Sequence, residues 1–249
     1  MKTLKTVLLS FFFLAFSASQ ITAGKVFTFA LLTDIHISKN KNSIASINQS
    51  SDIEMVFVTG DLTDEGDNAS LLKAKGLLDG LKMPYYAVQG NHETKWSESG
   101  ATGFRAIFGS DNFRVDKNNC TFLGFNTGPI IRMMDGHVGI QDIHWMEKEL
   151  KKTPTDNHIF ILTHYPLLNG DVDNWYEVTD LLRKYNVKAV LGGHYHRNKL
   201  TDYDGIPAVI NRSNLRAKEA VGGYSIYEIT PDSILVYEQI IGQEKRKWG

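Results

Sequence analysis

Five short polar clusters along a 249-residue chain hold side chains that can bind metal: Asp34-Ile35-His36, Gly60-Asp61, Gly90-Asn91-His92-Glu93, Thr163-His164-Tyr165-Pro166 and Gly192-Gly193-His194-Tyr195-His196. Carboxylates, imidazoles and one amide make a nitrogen and oxygen donor set with no thiolate, which suits borderline or hard divalent metals. Each cluster closes an apolar run, at 27–32, 55–58, 85–88, 159–162 and 187–191. Apolar runs of that length read as buried strands, and an abrupt polar end reads as a site at the strands' carboxyl edge. Asp34 and His36 stand two residues apart just past a strand, so both can reach one point. Asp61 has two oxygens and can bridge two cations. Helix or turn capping would account for Asp34 or Asp61 singly, at a worth of about 1 kcal/mol, but not for the histidines around them.

In order and content the clusters resemble the calcineurin-like metallophosphoesterase superfamily: Asp-x-His, Gly-Asp, Gly-Asn-His-Asp/Glu, a lone His, then Gly-His-x-His. The resemblance covers about 27–211. It implies a four-layer α/β/β/α sandwich of two mixed sheets and a metal-dependent phosphoric ester hydrolase. It also implies two divalent or trivalent metal ions (Mn, Fe or Zn). One would take Asp34, His36, Asp61 and His196; the other Asp61, Asn91, His164 and His194. Such pairs lie ~3.5–4 Å apart, share a hydroxide and hold both oxygens of an in-line displacement. His92 is implied to face the substrate as the catalytic histidine, and Glu93 to orient it. The Gly60–Asp64 run looks most like the cyclic-nucleotide-phosphodiesterase-like and purple-acid-phosphatase-like branches. Leu62, Thr63 and Asp64 offer no counterpart to the iron-ligating tyrosine of the second branch, so no tyrosinate is expected.

Substrate contacts are less determined. Arg132, Arg105 and Arg212 could each fork onto a phosphate. His137 lies in a loop of the kind that lines sites, and Trp96 and Tyr165 could stack on a ring or simply pack. His144 and His158 read as structural. A small phosphorylated substrate is the expected partner, monoester or diester. The rival readings are a nuclease of the same superfamily and a non-catalytic metal-binding scaffold. Lys plus Arg is 27 against 28 Asp plus Glu, without the basic surplus of a nucleic-acid binder. The complete donor set argues against a scaffold.

Further elements frame these clusters. Lys2, Lys5, the apolar run 7–16 and Ile21-Thr22-Ala23 read as a signal peptide over 1–23. That run falls short of the ~20 residues a spanning helix needs, so the expectation is export to a bacterial periplasm or beyond, with no membrane anchor left. Residues 24–242 fit one domain, and 243–249 read as a charged, solvated tail. The single Cys120 allows no internal disulfide and reads as a buried apolar residue. Helical spacing of leucines predicts a helix over 68–81, and helices are also expected over 43–48, 141–151 and 175–185. Antiparallel hairpins are expected at 112–126, 198–210 and 224–240.

Overall fold

Aromatic and β-branched runs become strands here because both of their faces can be buried. The computed structural model describes residues 27–37, 42–95, 97–129, 135–214, 222–230 and 232–249. The expected signal peptide over 1–23, Trp96 and Arg132 lie outside the described residues. The strands are β1 (Phe27–Leu32), β2 (Met55–Thr59), β3 (Tyr85–Val88), β4 (Phe113–Lys117), β5 (Cys120–Gly124) and β6 (His158–Leu162). They continue as β7 (Val187–Gly192), β8 (Lys199–Asp202), β9 (Pro207–Ile210), β10 (Gly223–Ile229), β11 (Ile234–Ile240) and β12 (Arg246–Lys247). The helices are α1 (Asn42–Gln49), α2 (Asn68–Leu78), α3 (Asn91–Lys95), α4 (Thr102–Phe108), α5 (Ile140–Lys152) and α6 (Trp175–Leu182).

The first sheet has the order β12-β11-β10-β1-β2-β3 and the second β4-β5-β6-β7-β9-β8. Within the first, β1, β2 and β3 run parallel, and β10 returns antiparallel against β1. Within the second, β5, β6, β7 and β9 run parallel, and β4 and β8 close the edges antiparallel. Parallel strands deliver their carboxyl ends to one edge of a sheet, which is where the motif loops begin.

Three apolar layers hold the sandwich. Between the sheets, Phe29 stacks on Tyr227 at 4.8 Å and meets Phe57 edge-on at 5.2 Å, with Phe122 and Phe160 stacked beside them. Each such ring contributes roughly 1.5–3 kcal/mol by leaving water. Outside the first sheet lie Ile44 and Ile47 of α1 and Leu71 and Leu78 of α2; outside the second lie Met146 and Leu150 of α5 and Val178 and Leu182 of α6. Helix, sheet, sheet, helix is the four-layer architecture expected from the motifs. Cys120 is buried as a free thiol in the inter-sheet layer.

Residues 243–247 are exposed, as a charged tail would be, but the segment is ordered along the edge of the first sheet. Arg246 and Lys247 pair with Glu238 and Tyr237, the Val236 amide donates to the Gly249 carbonyl at 2.9 Å, and Trp248 packs against the inter-sheet cluster. A two-residue strand is too short to show any alternation of side chains, so its charges alone were visible.

Candidate metal centre

The site begins with backbone conformation. Asp34, His36, Asp61, His194 and His196 all have positive φ, from 42° to 72°. Non-glycine residues pay of order 1 kcal/mol each for that region, and such strain persists only where the surroundings impose it. Here the loops impose it on one another. The Asp34 amide donates to the Gly60 carbonyl at 3.0 Å, and the His36 amide to the Asp61 carbonyl at 3.1 Å. A Cβ on Gly60 would fall 2.6 Å from Gly90, so the second and third motifs meet only because both are glycine there. The His194 amide donates to Asp34 Oδ2 at 3.2 Å, tying the second sheet's loop to the first sheet's.

Two donor clusters result, one of Asp34, His36 and His196 and one of Asp61, His164 and His194. Within each, one donor atom from every residue lies within 4.8 Å of the others. Asp61 also groups with His36 and His92 under the same limit, so it stands between the two clusters. Asn91 Oδ1 sits 3.0 Å from His164 Nε2, which places the amide on the second cluster. All seven residues predicted as metal-binding therefore converge, drawn from both sheets.

The surroundings of the imidazoles fit a cation. His164 Nδ1 lies 2.8 Å from the Thr59 carbonyl. A carbonyl only accepts, so Nδ1 carries the proton and Nε2 points inward, 3.2 Å from Asp61 Oδ2. His36 Nδ1 approaches Asp64 Oδ1 at 3.0 Å without hydrogen-bond geometry, and its buried Nε2 has no hydrogen-bond partner. Burial works against charge on His164, yet the Asp61 carboxylate pushes it up to about 10. Burial would raise Asp34 too, but its bond with His196 at 3.0 Å holds it low and raises His196 in turn. Two buried carboxylates thus draw protons onto adjacent imidazoles, a charge that metal cations would supply instead. Burial and the nearby His164 charge press His194 down to about 4, so its ring is a neutral donor.

His92 lies beside Asp61, in the grouping it forms with His36. Its amide donates to Asp61 Oδ1 at 3.0 Å, its Nε2 lies 3.7 Å from Asp61 Oδ2, and its Nδ1 is held by the Asp64 carbonyl. Glu93 does not orient it, contrary to the sequence expectation. The Glu93 carboxylate is fully buried and accepts from the amides of Asp61, Leu62, Thr63 and Gly90, at 2.9 to 3.1 Å. The extra methylene of Glu lets the group reach under the Gly60-Asp61 turn, and Glu93 fastens the second motif to the third. Burial and the Asp61 charge push its carboxyl up to about 7, and the Gly90 and Thr63 amides pull the other way.

Arg212 is likewise no substrate contact. It is 1% exposed, with Nη1 3.5 Å from Glu238 Oε1. Arg105 is exposed and paired with Asp111 at 2.8 Å. His137 lies 2.8 Å from Asp173. Tyr165 is buried, its ring 4.2 Å from that of His194, so it props a donor of the second cluster. His144 and His158 stand apart from both donor clusters.

Sequence reasoning missed Asp64. It was read only as part of the Gly60–Asp64 run, whereas its carboxylate holds His36 and its carbonyl holds His92. Its place three residues after Asp61 was the available signal. The Thr59 carbonyl behind His164 left no trace in the sequence, since every residue has one.

The family model for calcineurin-like phosphoesterases matches residues 27–198, and the chain belongs to that family. A protein of Arcobacter nitrofigilis named a probable glycerophosphodiester phosphodiesterase is 29% identical over 171 residues, 61% of this chain and 60% of the relative. A 3',5'-cyclic-nucleotide phosphodiesterase of Nostoc is 24% identical over 154 residues, 59% of this chain and 57% of that one. The chain thus spans somewhat over half the length of these relatives. Among solved structures, a dimetal phosphatase from Danio rerio superposes with a TM-score of 0.68 at 15% identity, covering 89% of this chain and 98% of that one. A purple acid phosphatase from yellow lupin gives 0.67 at 15% identity, over 88% and 52%. Both share the fold.

Proposed function

We propose that this protein hydrolyses a small phosphodiester with two cations (Mn, Fe or Zn) held by Asp34, His36, His196, Asp61, Asn91, His164 and His194. The observation that carries the reading is the position of Asp61, between one donor cluster on the Asp34 loop and another on the His164 and His194 loops. The diester preference is supported by the relatives, whose names specify phosphodiesterases. When bound, such cations neutralise phosphoryl oxygens and lower the pKa of an attacking water. The chain's own groups do the rest. Asn91 adds an oxygen without a further charge. His92 has its Nδ1 proton pinned by the Asp64 carbonyl, so Nε2 is the atom left to give a proton to the leaving oxygen. The leader over 1–23 supports action outside the cytoplasm, which N-terminal sequencing of the secreted product would check.

The test uses chelator-stripped protein assayed on bis(p-nitrophenyl) phosphate and p-nitrophenyl phosphate, with Mn²⁺, Zn²⁺ and Fe²⁺ returned singly. Stripping should abolish hydrolysis, and a returned metal should restore the diester reaction above the monoester one. Activity in a preparation holding less than one equivalent of metal would overturn the reading.

A further inference from the structure

We propose that Arg212 and Glu238 form a buried ionic hub that positions the Asp34, His36 and His196 half of the centre. The proposal rests on the two-cation reading above. Both residues are almost fully buried, at 1% and 2% exposure. Beyond the 3.5 Å approach of Arg212 Nη1 to Glu238 Oε1, the Arg212 Nε donates to the Ser213 carbonyl at 3.2 Å. A Cβ on Gly223 would come within 2.3 Å of Arg212 Nη1, so that glycine leaves space for the guanidinium. Ion pairs buried this deeply rarely stabilise a fold better than apolar residues of the same size, because desolvation offsets the attraction. A role in geometry accounts for such a pair better than stability does.

The hub's contacts lead to two ligand loops. Asn198, two residues beyond His196, donates through Nδ2 to Glu238 Oε1 at 3.1 Å and accepts the Arg212 amide on Oδ1 at 2.9 Å. On the other side, Ser213 Oγ donates to the Asp34 carbonyl at 3.1 Å, and the Asn214 amide to the Thr33 carbonyl at 2.9 Å. Arg246 of β12 donates to Glu238 Oε2 at 2.9 Å, so the C-terminal strand braces the same carboxylate. The Asn91 and His164 side is fastened by other groups, Glu93 and the Thr59 carbonyl. Arg212 and Glu238 are accordingly positioning residues for one cation rather than for both.

The experiment titrates Mn²⁺ into chelator-stripped protein and follows both binding steps by calorimetry. Wild type should show two steps, and His196→Ala identifies the one belonging to the Asp34 half. The double variant Arg212→Met with Glu238→Met replaces both charges at similar volume. It should melt close to wild type yet bind that step about 10–100-fold more weakly, the scale for groups behind metal ligands, with the other step unchanged. Asn198→Ala, which keeps the ion pair, should weaken the same step by a smaller factor. A folded double variant with both steps at wild-type strength would overturn the hub. If the double variant does not fold, Asn198→Ala decides alone, and an unchanged step there overturns it equally. A wild type with fewer than two steps would fail the two-cation reading instead.

Discussion

At the scale of single residues, the two-cation proposal divides the chemistry between groups that would hold cations and groups that would move protons. His92→Ala should keep both cations, since its neighbours Asn91 and Asp61 carry the donors, yet lose roughly 10²–10⁴-fold in kcat. The loss should shrink for a nitrophenolate, which leaves with little protonation. An equal loss with poor and good leaving groups would assign His92 to charge stabilisation. Asp64→Ala separates its two contacts. The carboxylate that holds His36 at 3.0 Å disappears, but the carbonyl that holds His92 is main chain and stays. Metal affinity should then fall about 10–100-fold, with the leaving-group dependence of wild type. Unchanged affinity by equilibrium dialysis would show that His36 needs no such support. Donor types and spacing made the converging side chains readable in the sequence, because metal chemistry restricts residue identity. The supports were less readable: Glu93 was given to the wrong partner because its reach to the amides of Asp61, Leu62 and Thr63 depends on how two loops pack. Arg212 looked like a phosphate fork until burial placed it beside Glu238.

At the scale of elements, strands were legible wherever period and length agreed. The runs at 27–32 and 85–88 coincide with β1 and β3, and the hairpin turn expected between 116 and 121 sits at Asn118 and Asn119, both with positive φ. β12 was hidden by its brevity. Positive φ also separates strain that serves the centre from strain that serves nothing visible. Ala101 takes φ 73° at the N-terminus of α4 with no side-chain cap bond. Left-handed backbone costs an alanine roughly 1–2 kcal/mol, and glycine's extra freedom in the unfolded chain returns about 0.5–1 of it. Ala101→Gly should therefore stabilise by about 0.5–1 kcal/mol and raise Tm by roughly 1–4 °C. A lower Tm in a thermal melt would show that the alanine methyl packs to some benefit. His196→Gly relaxes backbone at a comparable φ of 52°, but removes a donor of the first cluster.

At the scale of the whole molecule, the centre joins two sheets that also meet through the apolar layer between them and through the contacts of Arg212 and Asn198 with Glu238. The loops of Asp34, Asp61 and Asn91 leave the first sheet, and those of His164, His194 and His196 leave the second. Protein contacts across this seam include the His194 amide on Asp34 Oδ2 and His164 Nδ1 on the Thr59 carbonyl. Cations bound there would add bonds from both sheets to common centres that the unfolded chain cannot assemble. A ligand that binds only the folded state stabilises it by RT ln(1 + [L]/Kd), about 2.7 kcal/mol at a hundredfold excess over Kd. For a chain of this length each kcal/mol is worth roughly 2–4 °C in Tm. Chelation should accordingly lower Tm by about 5–10 °C, and Mn²⁺ or Zn²⁺ in excess should restore it. The same experiment on Asp61→Asn separates this linkage from general salt effects. That variant weakens the carboxylate between the two clusters, so its Tm should respond far less to added metal. If chelation leaves the wild-type Tm unchanged, or Asp61→Asn responds as fully as wild type, the cations do not bridge the sheets through Asp61.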